Sequence, residues 1–399
     1  MNGRTGAVSG KTNGGTLVPM TNEQVLFQLL RYEICNTPLP EERLAFDPVA
    51  LYRLSKHHDL AHLVADALSK HSLLPEDEKV RSAFERAQMT AVYREIQLTA
   101  ATQRIRDAFR EGRIPFVPLK GAIVRSFYPE PWMRTSCDVD VLIRENDLEK
   151  ATQILTDIGF TTDGKQDFHD VSFYDGDVHL ELHFNIRENI EQIDGLLSDV
   201  WDYTECFQDM EYRETPAFFL FHHVAHMSYH FVAGGCGIKP FLDLWLLRKN
   251  GFCEEDKIFP LLNACGLIPF YRAIGDLTDV WLEGKEHSDL TRQMEAYVLS
   301  GGVYGTYENG NAIGAARKKG KFRYLWSLAF PSYRSMWVIY PSLRKKKVLL
   351  PFYYIRRFFA KLFGRDRKRV RSRWKATMGQ DPGRIRSVEA LLQAVGLNE

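Results

Sequence analysis

The apolar positions of this chain change period partway along it. From residue 22 to 110 they recur at helical spacing. In Gln24 to Cys35 they are Val25, Leu26, Leu29 and Leu30, one face of a helix. Pro38 and Pro40 break the chain. A second helical stretch is predicted over Pro48 to Leu68 and a long one over Glu76 to Glu111. From Ile114 the apolar runs shorten. Ile114-Pro115-Phe116-Val117-Pro118-Leu119 reads as a buried strand closed by a Lys120-Gly121 turn, and its prolines predict an edge or irregular strand. Ala122 to Tyr128 predicts a short helix and Pro129-Glu130-Pro131 a loop. Cys137 to Ile143 reads as a strand, with Val139, Val141 and Ile143 on one face and Asp138, Asp140 and Leu142 on the other. Asn146 to Gly159 is helical, with Leu148, Ala151, Ile154 and Leu155 together. Val171 to Tyr174 and Val178 to Phe184 flank Asp175-Gly176, a hairpin signal. After about residue 190 the pattern is helical to the end, and no internal repeat is evident.

The expected fold class is therefore α+β, a small mixed sheet flanked by N- and C-terminal helical domains. The expected organisation is a disordered arm over 1–20, rich in Gly, Thr, Asn and Ser, and a helical domain over 21–110. An α/β core follows over 111–190, then a helical domain over 191–310 and a basic helical segment over 311–399.

Composition adds exclusions. With 399 residues, 45% apolar and 26% charged, the chain is globular. Its six cysteines form no Cys-x-x-Cys pair, which excludes a zinc ribbon and a disulfide scaffold. No secretory signal is evident, so reduced thiols and a cytoplasmic location are expected. Thr215 to Ile238 lacks Asp, Glu, Lys and Arg, yet carries His222, His223, His226 and His230. Imidazoles are costly in lipid, so this is read as a buried helix followed by a loop with Gly234, Gly235 and Gly237.

Charge is strongly segregated. Residues 317–375 hold 20 Lys and Arg against one acid, Asp366, a net of +19, and the remainder nets −18. Aromatics interleave with these bases, among them Phe322, Tyr324, Trp326, Phe352, Phe358 and Phe359. Three readings stand: docking on an anionic membrane, peripherally on its inner surface; nucleic-acid binding; or a solvated basic face against the acidic remainder.

Chemistry concentrates in the predicted strands. Residues two apart on a strand share a face, so Asp138 and Asp140 crowd two carboxylates together. That crowding is costly unless a cation relieves it, and Mg²⁺ suits one or two carboxylates plus substrate phosphates. On Val178 to Phe184 the polar face is His179, Glu181, His183 and Asn185. If this strand lies beside Asp138 and Asp140, Glu181 is a third carboxylate. Three carboxylates can hold two metal ions, Mg²⁺ expected and Mn²⁺ also suitable, and Glu181 can take a proton from an attacking hydroxyl. Gly121 permits close backbone approach to a phosphate, and Lys120 adds a point charge. Arg134 on its loop can neutralise phosphate, brace the carboxylates, or face solvent. Cys137, opposite in face to Asp138, is expected to pack into the core. His222, His226 and His230 share a helix face, as pocket lining, a metal site, or packed histidines. Asp243 sits in an apolar helix and needs a partner, for which a histidine of the preceding helix is expected.

Leu119-Lys120-Gly121, Tyr128-Pro129, Arg134 and Asp138-Val139-Asp140-Val141-Leu142-Ile143 together resemble the polymerase-β-like nucleotidyltransferase superfamily, and within it the uncharacterised nucleotidyltransferase family. That family's acidic-Leu-His strand is matched by Glu181-Leu182-His183. Later similarities are the His-bearing helix at 222–230, Asp243-Leu244, and Phe330-Pro331, Tyr340-Pro341 and Leu350-Pro351. The resemblance implies metal-dependent transfer of a nucleoside monophosphate from a nucleoside triphosphate to a hydroxyl-bearing acceptor. It implies Asp138, Asp140 and Glu181 as metal ligands, and Lys120, Gly121, Arg134 and His183 as substrate contacts. Gly121-Ala122 stands where the superfamily usually has Gly-Ser, the third carboxylate is Glu where Asp is common, and the gap from Gly121 to Asp138 is longer than usual. Two alternatives follow: a relative that binds nucleotide without turnover, or a membrane- or RNA-docking protein acting through the basic segment.

Overall fold

The computed structural model describes residues 20–40, 44–164, 169–188, 190–303, 305–344, 346–363 and 367–398. The arm expected over 1–20 lies outside them except for Met20. Helices α1 (Asn22–Cys35), α2 (Pro48–His57), α3 (Ala61–Lys70) and α4 (Glu78–Glu111) come first. Local chemistry sets their starts. The Thr21 hydroxyl accepts from the Gln24 amide, while the Gln24 side chain accepts from Thr21 N–H. Asp47, followed by Pro48, and Asp77 cap α2 and α4. The stretch expected as one helix from Pro48 to Leu68 is two. Asp59 takes a left-handed conformation, φ 56, and turns the chain between them.

The α/β region follows as β1 (Phe116–Pro118), α5 (Lys120–Val124), β2 (Asp138–Ile143), α6 (Leu148–Asp157), β3 (Asp170–Asp175) and β4 (Val178–His183). After α7 (Glu191–Ser198) come two more strands, β5 (Thr204–Gln208) and β6 (Glu211–Glu214). One six-stranded mixed sheet results, in the order β3-β4-β2-β1-β6-β5. The α+β expectation holds. The helical pattern expected beyond residue 190 is broken by β5 and β6. Those strands are polar, and β5 is largely exposed, so they carry no apolar alternation to reveal them. The hairpin turn between β3 and β4 is Gly176-Asp177, one residue beyond the expected pair, since Asp175 still pairs with Val178.

β1 is interior, between β2 and β6, so the edge expectation is corrected. Its prolines shorten it instead. Pro115 falls outside the strand and Pro118 ends it, while the Phe116 and Leu119 amides donate to Met210 and Asp140 carbonyls. Three residues suffice because neither missing N–H falls where the ladder requires a donor.

The sheet separates two apolar cores. On one face Val139, Val141, Ile143 and Leu180 pack against Ile105 and Phe109 of α4 and Leu155 of α6. On the other, Val117 and Leu142 join the larger core. That core includes α8 (Pro216–Ala233), α9 (Lys239–Lys249), α10 (Glu255–Ala264), α11 (Ile268–Glu283) and α12 (Asp289–Gly301). The charge-free stretch is the buried α8, as expected, and among the described residues no helix is long and apolar enough to cross a membrane. Asp138 and Asp140 of β2 are part-buried on the face opposite Val139 and Val141, an uncommon place for two carboxylates.

The chain continues as α13 (Tyr307–Arg317), α14 (Lys321–Ala329), α15 (Tyr333–Ile339), α16 (Leu350–Phe363), α17 (Arg367–Met378) and α18 (Pro382–Ala394). Two glycine loops lock α13 against α8. A Cβ on Gly305, φ +75, would sit 2.3 Å from the Gly234 carbonyl carbon. Backbone lies on both sides, so nothing can swing away. Gly305→Ala is expected to cost more than about 2 kcal/mol from overpacking plus left-handed strain. Urea denaturation checks this; a midpoint unchanged from wild type would show the loops to be separable.

Candidate active site

β2 and β4 run parallel, and their register sets Asp138 beside His179, Asp140 beside Glu181 and Leu142 beside His183. Pleating turns Val139, Val141, Leu180 and Leu182 into the core, so the polar partners share the opposite face. There the sheet, α5, α8, α9 and the His58-Asp59 turn enclose a cleft of about 370 Å³. Asp138, Asp140, Glu181, His183, Lys120, Gly121 and Arg134 all line it. The structure thus brings every predicted site residue to one place, although their meeting depends on contacts distant in sequence.

The carboxylates are unequal. Burial, then the proximity of Asp140, push Asp138 up to about 6, against a hydrogen bond from the Ser136 hydroxyl at 2.9 Å. Burial also opposes ionisation of Asp140. A hydrogen bond and charge from His183, with Lys120 nearby, outweigh it and hold Asp140 below the usual carboxylate range. His183 Nε2 stands 3.3 Å from Asp140 Oδ1 and 3.6 Å from Glu181 Oε2. Burial disfavours its charge, yet those two acceptors raise it to about 9. An imidazolium therefore sits among the carboxylates as an internal counter-charge.

The donor set fits a divalent cation. Two overlapping groups, Asp138–His179–Glu181 and Asp140–Glu181–His183, each place one potential ligand atom per residue within 4.8 Å of the others. Glu181 is common to both. Hard carboxylate oxygens suit Mg²⁺ or Mn²⁺, and a cation would favour the ionised form of Asp138 that burial and the Asp140 charge disfavour. His179 was visible on the polar face of its strand but not singled out.

Lys120 is the first residue of α5. Burial lowers its pKa, against Glu188, whose carboxylate is 4.0 Å away, and Asp140. Glu188 escaped sequence reading entirely. It lies on the loop after β4, where no periodicity marks it, and is held by His226 Nδ1–H at 2.6 Å. Burial opposes its charge, but His226 and Lys120 bring it down to about 2. Burial in turn holds His226 neutral, down to about 3. Ser136 was also missed, although its place two residues before Asp138 was a local signal.

Gly121 has an ordinary helical backbone. A Cβ there would meet Arg134 Nη1 at 3.1 Å and Ser136 Oγ at 3.6 Å. The glycine thus makes room for the Arg134 guanidinium. Arg134 braces Asp243 rather than Asp138 or Asp140: Nε and Nη2 donate to Asp243 at 2.8–3.2 Å, and Tyr128 Oη donates to it at 2.7 Å. The histidine partner expected for Asp243 is corrected. His223 donates instead to the Pro240 carbonyl, and Arg134 has the planar fork that a carboxylate matches. Cys137 is exposed, not core-facing, because the strand begins only at Asp138.

His222, His226 and His230 line the cleft through α8. His222 Nδ1 bonds Glu214 at 2.9 Å. Among the described residues, neither group able to hold a metal includes them, so their observed role is wall and hydrogen-bond support.

A family model described as an uncharacterised nucleotidyltransferase matches residues 45–283, well over half of the chain and all of this cleft's sheet. Neither curated proteins nor solved structures gave a match.

Proposed function

Because this chain belongs to the uncharacterised nucleotidyltransferase family, we propose that its cleft transfers a nucleoside monophosphate from a nucleoside triphosphate to a hydroxyl-bearing acceptor, with Mg²⁺ or Mn²⁺ held by Asp138, Asp140 and Glu181. The convergence of these three carboxylates beside Lys120 carries the reading. Divalent ions bound there would neutralise the triphosphate and make the acceptor oxygen a better nucleophile. The acceptor oxygen attacks the α-phosphorus, the bond to the bridging oxygen breaks, and pyrophosphate leaves. Glu181 takes the acceptor's proton. Lys120 sets a positive charge against the phosphates, with Glu188 orienting it. Arg134 offers them only Nη1, since its other donors are engaged by Asp243. The free cysteines accord with a reducing, cytoplasmic setting.

Ala122 keeps a second reading open, nucleotide binding without turnover. The two separate by experiment. Wild type is incubated with α-³²P-labelled nucleotides, Mg²⁺, and protein, sugar and RNA acceptors. Glu181→Gln is expected to keep part of the nucleotide affinity and lose roughly 10²–10⁴ in turnover, the span of a general base. Label transfer by wild type that is unaffected in Glu181→Gln removes Glu181 from the base role. Binding with no transfer to any acceptor replaces transfer with the non-catalytic reading.

A further inference from the structure

The basic segment plays no part in the cleft, and its surface carries a second signal. Eleven of the twenty large apolar side chains exposed among the described residues fall within residues 317–375. They form stripes, not scatter. Along α14 and the residue that ends it, Phe322 (75% exposed), Trp326 (67%) and Phe330 recur every four residues. On α16, Phe352, Ile355 and Phe358 recur every three, and on α17 Val370 and Trp374 lie one turn apart. Such spacing places each set on a single helix face. Phe330 packs tilted against Trp326 with ring centroids 4.5 Å apart and meets Tyr354 of α16 edge-on at 5.5 Å, so the end of α14 lies beside α16. Val348, on the turn before α16, is 83% exposed. A soluble surface does not ordinarily collect apolar groups in this way without a partner.

The surroundings identify the partner's chemistry. Arg323, Lys346, Lys347, Arg356 and Arg371 are exposed among these stripes, within a segment of net charge +19. A partner must therefore be anionic at its surface and apolar just below. We infer that α14, α16 and α17 form a docking surface for an anionic lipid bilayer, bases at the headgroups and apolar stripes in the interface. Nucleic acid would satisfy the bases and could stack on Trp326, but Val348 and Ile355 have no ring to stack and would stay in water.

The test is flotation of the full chain with vesicles of phosphatidylcholine alone or with 30% phosphatidylserine, chosen as a strongly anionic probe of roughly physiological composition. Binding is expected only to the anionic vesicles, weakening with salt but not vanishing, since the apolar part is not screened. Brominated acyl chains are expected to quench tryptophan fluorescence, and Trp326→Phe with Trp374→Phe to abolish that quenching. Lys346→Gln, Lys347→Gln, Arg356→Gln and Arg371→Gln together should weaken partition by at least about a hundredfold, as each base near an anionic surface contributes close to a fivefold factor. Phe352→Ser, Ile355→Ser and Phe358→Ser should remove the salt-resistant part. All these positions are exposed, so thermal midpoints should stay level; the wild-type quenching measurement needs no variant. Failure to float with anionic vesicles, absence of bromine quenching, or a single-stranded RNA that binds more tightly than vesicles at equal salt would each overturn the membrane assignment.

Discussion

Asp138→Asn and Asp140→Asn should each abolish metal-supported nucleotidyl transfer, yet move the metal-free stability in opposite directions. Both remove a carboxylate from the Glu181 neighbourhood. Loss of even one neutral donor to developing charge costs roughly 10²–10³ in rate, so the loss of a metal ligand is expected to reach at least that. Stability separates them. Asp138 is crowded by burial and by Asp140 and retains a hydroxyl partner in Ser136. Its neutral isostere relieves repulsion, so the midpoint should hold or rise. Asp140 is the acceptor for the His183 imidazolium. Its loss removes a charged hydrogen bond of about 1.5–3 kcal/mol and leaves His183 with Glu181 alone. Calorimetric titration with Mg²⁺ and nucleotide, beside metal-free thermal melts, reads both quantities. Undiminished metal affinity in both variants would remove the carboxylates from the metal site. Equal stability changes would mean that His183 is no counter-charge.

The second large effect lies just behind the cleft. Arg134 and Asp243 are buried, fork to fork, with Tyr128 on the same carboxylate. Breaking such a pair from one side leaves an uncompensated charge in the interior and costs about 3–5 kcal/mol. Arg134→Leu and Asp243→Leu should each do so, and the double variant should be less destabilised than the sum. Arg134→Lys keeps the charge but not the fork, and should fall between wild type and Arg134→Leu. A double-mutant cycle by urea denaturation measures the coupling. Strict additivity would show that the two side chains stabilise the fold independently. Because Arg134 Nη1 lies over Gly121, nucleotide affinity should fall with stability in these variants.

The residues that line the cleft differ in how visible they were in the sequence. Asp138, Asp140, Glu181 and His183 were legible because a strand's two-residue period sorts side chains by face from sequence alone. Buried valines and leucines at the alternate positions made that sorting unambiguous. Lys120 and Gly121 were legible as a turn after an apolar run. Helix α1 was legible through the apolar spacing of Val25, Leu26, Leu29 and Leu30. All of these signals act over a few residues, and the backbone's own geometry enforces them.

What the chain's pattern left open involves partners distant in sequence. Periodicity cannot report that β2 lies beside β4, so the meeting of Asp140 with Glu181 required the sheet register. It missed β5 and β6 because a polar hairpin has no apolar alternation. It left β1 as an edge or irregular strand, and the edge alternative failed because the penalty for proline depends on which neighbours demand an N–H. Glu188 reaches the cleft from a loop, and Asp243 finds Arg134 across more than a hundred residues, a choice made by burial: in a low-dielectric interior a carboxylate is stable only where a matching cation is held against it. The sequence by itself thus determined which local elements form and which face of each is polar. The tertiary structure alone decided which polar faces meet, because that depends on how the whole core closes.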